Sequence, residues 1–420
     1  MKSYCGALAN ASAKLTPTAV PNLTLEATLP LPELLDGIRD DIEAMSAEIG
    51  LTIIGALLRQ EVAQKLGERG QQRAYRHGQQ AGYVVYGGRK VSLSRPRVRE
   101  RGGGELALET YRAFQSDGRM QRAVARQLIR QCSTRNYAGA IEDCLRGYGI
   151  ARSSVSRHWK AATEAQLQKL LQRPVPPDLV ALLLDGKYFG QDCVIVALGV
   201  DRSGRKHVLG LWHGATENAT VVKALLADLI ERGLPTERPM LVVMDGSKAL
   251  RKAVSDVWGR RALVQRCRVH KARNIMEHLP KEKQQQALWR LRAAWTKADV
   301  REAERELRTV ARWLEPISPM AARSLQEGLE ETLTLQRLGV NDVLVRSLSS
   351  TNLIEGCFSR TADCTRRVRR WRGAKMVLRW SAAALLVAEN GFRRVRGYRH
   401  LPQLEDALQN YEIAFQKEIA

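Results

Sequence analysis

The chain has 420 residues, of which 44% are hydrophobic and 26% are charged, proportions that suit a folded protein with a large core. The formal net charge of +23 predicts attraction to a polyanion, because each neutralised phosphate releases condensed counterions. No apolar run approaches the length of about 18 residues that spans a bilayer, and seven scattered cysteines form no disulfide framework. A membrane-spanning protein and a secreted disulfide scaffold are therefore disfavoured, and we expect a cytoplasmic chain.

The positive charge is concentrated in two windows. Residues 59–101 carry eleven basic and three acidic side chains, and residues 352–399 carry twelve and three. Together the windows hold 17 of the 23 net charges, which favours directed binding surfaces over a uniformly charged coat. Nucleic acid is the favoured partner, and an anionic membrane surface is the alternative.

The N-terminal part divides into a flexible tail, residues 1–30, and a region 31–115 that joins a helix to a basic hairpin. Apolar residues at helical spacing predict a helix from Leu31 to Leu66. In the hairpin, Gly87-Gly88 separates two alternating runs. The second run predicts a β-ribbon that follows DNA backbone and carries Arg89, Lys90, Arg95, Arg97 and Arg99. The alternative is a charged edge strand that guards against aggregation.

The sequence predicts a helical domain over residues 116–173. Residues 117–172 read as helix, and the breaks are at Gly147 and Gly149. Helix, glycine-bearing turn and helix is the pattern of a helix-turn-helix, whose second helix meets base edges and phosphates. Here that helix begins with Arg152, Ser153, Ser154 and Arg157. Two ordinary packed helices would leave the same pattern. Three prolines between residues 174 and 177 predict a stiff linker to the next domain.

Two short apolar runs, Val180–Leu184 and Met240–Met244, each end at an Asp-Gly pair that begins with Asp185 or Asp245. Runs that are apolar throughout predict strands covered on both faces. If the two strands pair in parallel, both carboxylates emerge at one edge of the sheet, where open α/β sheets place their sites. Adjacent carboxylates repel unless they share a proton or bind a cation. A divalent metal site is the favoured interpretation.

The elements around these strands follow from the same patterns. Two more strands are predicted at Cys193–Val200 and Lys206–Trp212, followed by a helix from Glu217 to Arg232. A helix over Ser247–Trp258 and a strand over Ala262–Gln265 follow the second Asp-ended strand.

The last third opens with residues 281–340, whose dense charge and helical spacing predict an insertion of three or four helices. Asn352 is then predicted to cap a helix with Glu355 three residues on, as in a capping box. We expect that helix to continue through Arg360 into an arginine-rich run. A last helix, Ala374–Glu389, is apolar and is expected to pack on the sheet.

Each acidic signal is weak alone, because Asp-Gly after an apolar run is commonly a turn and a helical Glu355 is often a cap. Together and in this order, Asp185, Asp245 and Glu355 resemble the triad of the Asp-Asp-Glu transposases, which have a ribonuclease-H-like fold. More narrowly, the chain beyond about residue 82 resembles a Mutator-type transposase of a bacterial insertion sequence. The motifs that carry the resemblance are Leu184-Asp185-Gly186-Lys187-Tyr188-Phe189, Ala197-Leu198-Gly199-Val200-Asp201, Leu209-Gly210-Leu211-Trp212, Met244-Asp245-Gly246, Cys267-x-x-His270 with Arg273-Asn274, and Thr351-Asn352-x-Ile354-Glu355.

The resemblance implies an α/β fold. A ribonuclease-H-like catalytic core would comprise residues 178–280 and 341–420, interrupted by the all-helical insertion and preceded by a mainly helical DNA-binding region with a β-hairpin and a helix-turn-helix. It also implies that Asp185, Asp245 and Glu355 are the catalytic metal ligands. Magnesium prefers such oxygen ligands, and two Mg²⁺ ions, or Mn²⁺ in their place, would assist displacement at phosphorus.

The Cys267-x-x-His270 pair is half of a zinc signature without a second half, so a structural zinc is disfavoured. The resemblance places His270 at the catalytic site, where it would hydrogen-bond a phosphate or steady the carboxylates, while Cys267 would pack. We also expect DNA contacts from Arg273 and from the basic residues after Glu355, which are Arg360, Arg366, Arg367, Arg369 and Arg370.

The expected function is a transposase that binds the terminal inverted repeats of its element and catalyses Mg²⁺-dependent strand cleavage and strand transfer. Its partners would be double-stranded DNA, as inverted repeats and as target, and a second copy of the chain, since two ends must meet. No membrane partner is expected, and the setting would be the bacterial nucleoid. Two rivals stay open: a ribonuclease-H-like nuclease, and a catalytically inactive DNA-binding regulator derived from a transposase.

Overall fold

The computed structural model describes residues 31–67, 74–86, 89–115, 117–129, 147–148, 152–214, 218–366, 368 and 370–419. Within these ranges the chain divides into two compact units. The first comprises the described residues up to Tyr83, the segment Val91–Ala113, and Gly147. The second comprises the described residues of 84–90 and 114–129 and those from Tyr148 onward.

The first unit begins with helix α1 (Leu31–Leu66), as the helical spacing predicted. Strands β1 (Ala74–Tyr86), β2 (Arg89–Glu100) and β3 (Glu105–Leu106) follow one another in a sheet. The carboxylate of Glu61 in α1 accepts hydrogen bonds from the backbone N–H groups of Glu109 and Thr110, at 2.7 and 3.0 Å. These bonds fix the start of helix α2 (Glu109–Gln115) to α1, because they satisfy N–H groups that a helix leaves unpaired.

Two further helices, α3 (Asp117–Ile129) and α4 (Arg152–Leu171), share an apolar cluster that includes Val124, Leu128, Val155 and Trp159. The helix predicted between them lies outside the described residues, so the helix-turn-helix stays a prediction. The short strand β4 (Gly147–Tyr148) lies at the predicted break between the helices. These two residues form a strand because they pair with β2.

A five-stranded mixed sheet organises the second unit, and its strands run in the order β7-β6-β5-β8-β9. β5 pairs antiparallel with β6, and β6 with β7, whereas β5–β8 and β8–β9 are parallel. The predicted parallel pairing of the two Asp-ended strands is confirmed. The strands are β5 (Leu179–Phe189), β6 (Asp192–Asp201), β7 (Lys206–Gly214), β8 (Met240–Met244) and β9 (Ala262–Arg266).

The end of β5 differs from the prediction, because this strand does not stop at Asp185. It continues to Phe189, since its later residues keep pairing with β6 until Phe189 lies opposite Asp192. Asp185 therefore lies inside a strand, whereas Asp245 directly follows the end of β8.

Both faces of the sheet are buried, which explains why its strands are apolar throughout. Leu182 and Leu184 pack under helices α5 (Ala219–Glu231) and α6 (Lys248–Trp258). Leu183 lies in the opposite core together with residues of α4 and of the C-terminal helices.

The residues predicted as a helical insertion are helical and bury their own core, which includes Leu291, Leu307 and Leu325. Helix α7 precedes them, and its Arg268 guanidinium donates to the carbonyl oxygens of Thr332 and Trp295. The fully buried Lys271 of α7 donates to two more carbonyls of the same region. The helices are α7 (Arg268–Glu277), α8 (Lys281–Trp295), α9 (Val300–Leu314), α10 (Pro319–Gln326) and α11 (Thr334–Arg337).

The C-terminal helices are α12 (Asp342–Leu348), α13 (Asn352–Thr365), α14 (Ala374–Glu389) and α15 (Leu401–Ile419). α14 packs on the sheet as predicted, and its Glu389 accepts a hydrogen bond from the Val208 backbone of β7 at 2.7 Å. Two expectations are wrong. α13 ends before the arginine-rich run, where the Trp371 ring packs edge-on against Phe189 with ring centroids 5.3 Å apart. α14 is not the last helix, because α15 buries Leu401, Leu404 and Leu408 in the same core.

None of the helices in the described part of the chain combines the length and the apolar character that crossing a membrane requires.

Candidate active site

Asp185 and Asp245 occupy equivalent places on neighbouring parallel strands. Leu184 pairs with Met244, so the two aspartates are the next residues on strands that lie about 4.8 Å apart. The Asp245 carboxylate accepts from the backbone N–H of Ser247 at 2.9 Å, which orients it at the start of α6. The Asp185 carboxylate accepts from the N–H of Gly186 at 2.9 Å, and only 5% of this residue is exposed.

The pKa of Asp185 responds to several neighbouring groups. Burial raises the pKa of the Asp185 carboxyl to about 7, against the attraction of His270, and the negative charges of Asp245 and Glu355 raise it further. Charges shift one another's pKa in this way only when they lie near one another in space. The fold therefore brings together three acidic residues that are 60 and 110 positions apart in the chain.

Glu355 reaches this site from the first turn of α13. Its Oε1 lies 3.5 Å from Nε2 of His270, a distance that gives charge attraction without a good hydrogen bond. Among the described residues this buried oxygen has no hydrogen-bond partner. A buried carboxylate oxygen without a partner indicates a missing ligand, and carboxylate oxygens are the donors that Mg²⁺ prefers.

In the described part of the chain, no group of three or more His, Cys, Asp and Glu side chains has the spacing that holds a metal ion as it stands. His270 lies among the acidic residues instead. Hydrogen bonding with Cys267 raises the pKa of His270 to about 9, against the effect of burial, and attraction to Asp185 and Asp245 adds to the rise. A protonated His270 offsets part of the negative charge of the site.

Cys267 does more than pack. It is the N-cap of α7, and its Sγ accepts from the His270 N–H at 3.4 Å and from the Thr351 N–H at 3.3 Å. Burial opposes ionisation of the Cys267 thiol, but hydrogen bonding with the His270 side chain, and then with the His270 backbone and with Thr351, outweighs burial and lowers the pKa of the thiol. The sulfur therefore joins the start of α7 to the start of α13.

Thr351 is a site residue that the sequence reasoning missed. Its hydroxyl lies 3.3 Å from Nδ1 of His270. The predicted capping box is wrong: Thr351, not Asn352, is the N-cap of α13, and its hydroxyl faces His270 and Cys267 instead of the helix N–H groups. The signal in the sequence was its place at the start of the motif that contains Glu355, Thr351-Asn352-x-Ile354-Glu355.

The predicted DNA-binding residues of the hairpin are partly engaged within their own unit. Arg95 and Arg97 pair with Glu105 at 3.2 and 2.7 Å, and the Arg95 guanidinium lies 5.0 Å from the Tyr111 ring. Within the described residues, Nε of Arg99 is buried without a hydrogen-bond partner. Lys90 is half-buried, and the Arg89 side chain lies outside the description. Their role in DNA binding stays a prediction.

The remaining candidates lie on helices and in the arginine-rich run. Arg152, Ser153 and Arg157 are exposed in the first turns of α4, and Arg157 donates to the Ser154 hydroxyl at 3.1 Å. Arg273 is exposed on α7. Among the C-terminal candidates, Arg360, Arg366 and Arg370 are exposed. Arg367 and Arg369 lie outside the described residues.

Comparison with known proteins gives a consistent result. Residues 30–392 match the family described as "Transposase, Mutator family". The chain is 27% identical over 384 residues to the transposase for insertion sequence element ISRM5 of Rhizobium meliloti (strain 1021), covering 88% of this chain and 92% of that protein. It is 30% identical over 177 residues to the transposase for insertion sequence element IST2 of Acidithiobacillus ferrooxidans, covering 42% and 58%.

A third relative is the transposase for insertion sequence element IS905 of Lactococcus lactis subsp. lactis (strain IL1403), 27% identical over 276 residues, which cover 63% of this chain and 67% of that protein. The family match spans most of the sequence, and the mixed α/β fold is consistent with it. Transposases bind DNA, cleave it and transfer it. This chain belongs to the Mutator family of transposases.

Proposed function

We propose that this transposase is of the Asp-Asp-Glu type and uses Asp185, Asp245 and Glu355 to bind two Mg²⁺ ions, with Mn²⁺ as the alternative. The observation that carries the proposal is the approach of these carboxylates to one another, with a buried Glu355 oxygen that has no hydrogen-bond partner among the described residues. The order of the sheet, three antiparallel strands followed by two parallel ones, supports a ribonuclease-H-like core.

The proposed reaction is displacement at a DNA phosphorus. Bound divalent ions would activate the attacking hydroxyl and stabilise the leaving 3′ oxygen. Water as the nucleophile gives strand cleavage at the element end, and a DNA 3′-hydroxyl gives strand transfer. One site serves both steps because only the nucleophile changes.

The residues of the chain have separate tasks in this reaction. Asp185 and Asp245 extend from the rigid strands β5 and β8, so their positions are set by the sheet. Glu355 approaches from α13, and His270 holds a proton beside it. His270 would either donate that proton to a DNA phosphate oxygen or hold the Glu355 carboxylate in place.

The remaining parts are assigned to binding. Residues 31–115 and 116–173 would recognise the inverted repeats through the basic hairpin and the first turns of α4. The arginines from Arg360 to Arg370 would hold the DNA backbone near the cleavage site.

Residues 178–280 and 341–420 form the proposed catalytic core around the insertion 281–340. At least a dimer would pair the two element ends.

A direct test is Asp245→Asn, measured on a duplex taken from the terminus of the protein's own element. Mg²⁺-dependent cleavage should be lost while duplex binding stays close to wild type, because one ligand is removed without a change of shape. Asp406→Asn, an exposed aspartate on α15, is the matched control.

A second readout does not depend on activity. Mg²⁺ should raise the unfolding temperature of the wild type and of the control, but not that of Asp185→Asn or Asp245→Asn. Cleavage and a Mg²⁺ shift retained in both variants would contradict the proposal. Preferential cutting of an RNA–DNA hybrid would favour a ribonuclease, and binding without any cleavage by the wild type would favour a regulator.

A further inference from the structure

Two adjoining clefts lead away from the candidate active site. One, of about 520 Å³, begins at Asp245 and runs along α6. The other, of about 900 Å³, lies along α9 of the helical insertion. Gly328 and Glu331 line both clefts, so the clefts are neighbours at these two residues, and together we call them the groove.

The walls of this groove carry more positive than negative charge. The acidic residues are mostly engaged: Glu331 pairs with Arg251 at 2.8 Å, Glu327 pairs with Arg266 at 3.2 Å, and Asp256 pairs with a lysine of α5. Asp245 is one of the remaining two acids. The basic residues outnumber these acids by seven to five, and they are Lys248, Arg251, Lys252, Arg266, Arg305, Arg308 and Arg312.

Three of the cations are available for a partner. Lys248, Lys252 and Arg305 are exposed and form no ion pair with any other described residue. Arg312 is also exposed, and its guanidinium donates only to the neutral hydroxyl of Thr309. Against these four cations stand the two remaining acids, Asp245 and Glu330, so the groove carries an excess of positive charge.

The spacing of these cations suits a chain of phosphates. Lys248 and Lys252 are one turn apart on α6, about 6 Å along the helix axis, and Arg305 to Arg312 span about 10 Å of α9. Along one DNA strand the phosphate charges follow one another at about 3.4 Å of duplex axis. Cations spread over two helices therefore fit a polyanion better than a single small anion.

We propose that this groove binds the phosphodiester backbone of the DNA on one side of the scissile phosphate. The inference rests on the proposed function, because a cleavage centre at Asp245 is what delivers a DNA strand to the start of the groove. It adds a DNA contact on α6 and on the helical insertion, apart from the hairpin, α4 and the C-terminal arginines.

The test is the triple variant Lys248→Gln, Lys252→Gln and Arg305→Gln, compared with Lys281→Gln, Lys283→Gln and Arg301→Gln. The control removes the same charge from exposed positions outside the groove. Affinity for the element-terminus duplex should fall roughly tenfold or more in the groove variant, and the slope of log affinity against log salt should lose about 2 to 3. Equal affinity and slope in the two variants would overturn the proposal.

Two further measurements locate the contact. A photo-crosslinking amino acid in place of Ser255, which lines the groove, should form adducts with DNA close to the cleavage position, whereas the same group at Glu282 on α8 should not. Adducts with the element terminus but not with an unrelated duplex of equal length assign the groove to element DNA, and the reverse assigns it to target DNA. Absence of adducts with both would contradict the inference.

The outcomes separate the two proposals. If Asp245→Asn still cleaves, the catalytic assignment fails, whatever the groove variant does. If Asp245→Asn is inactive and the groove variant binds like its control, only the groove inference fails. Unchanged circular dichroism and unfolding temperature of both triple variants show that the comparison is made between folded proteins.

Discussion

The carboxyl group of Asp185 lies inside a buried strand, where an ionised group is costly. Its pKa of about 7 compares with an ordinary value of 3.8. The folded state therefore binds a proton that the unfolded chain releases between about pH 4 and pH 7. Stability from this group is fully present below pH 4 and is lost as pH rises through 7.

Replacement of this residue by asparagine should therefore stabilise the metal-free protein in a pH-dependent way. The free energy of unfolding of Asp185→Asn should exceed that of the wild type by about 2–4 kcal/mol above pH 7, and the difference should vanish near pH 4. Urea unfolding at several pH values with a chelator present measures it. A difference that is the same at every pH would show that Asp185 keeps its ordinary pKa.

At the scale of elements, the site depends on the junction between α7 and α13. Cys267 joins the first turns of both helices, and Thr351 joins α13 to the His270 ring. Glu355 and His270 come from these two helices, so the junction determines the position of both. Partners of this kind orient the groups that do the chemistry.

Thr351→Val keeps the shape of the side chain and removes its hydroxyl. Because the His270 ring then loses a partner, the turnover rate of Mg²⁺-dependent cleavage should fall roughly 10- to 100-fold, with DNA affinity unchanged. Thr351→Ser restores the hydroxyl and should recover most of the rate. A quenched-flow cleavage assay measures the rates. The pKa of His270, measured by NMR, should change in the valine variant only. Equal rates in the valine and serine variants would argue against this positioning role.

At the scale of the whole molecule, the net charge of +23 sets how DNA is bound. If six to ten phosphates are neutralised, affinity for any duplex should fall by about 10³–10⁵ between roughly 50 and 200 mM salt. Fluorescence anisotropy with an unrelated duplex measures this, with a neutral fluorescent polymer as the control for non-specific adsorption. A flat salt dependence would mean that the arginines and lysines are satisfied within the protein, as Arg95 and Arg97 are by Glu105.

The predictions from sequence succeeded where one local pattern decides the outcome. The strand β8 and the helix α6 lie where they were predicted. An unbroken apolar run places β8, and a capping serine places the start of α6. The predictions failed where contacts with another element determine the bounds of a strand or helix. β5 extends beyond its apolar run because β6 pairs with it as far as Phe189. The helix α15 was missed although Leu401, Leu404 and Leu408 have helical spacing.

The sequence by itself determined the positive charge, the apolar strands that end near Asp185 and Asp245, and the family, because composition and spaced motifs are properties of the chain. Only the tertiary structure decided that Leu184 pairs with Met244 and that Glu355 lies beside His270. It also decided that Thr351 faces His270 and that the groove continues from α6 to α9. Register and helix packing depend on contacts between residues far apart in the chain, and no local pattern contains that information.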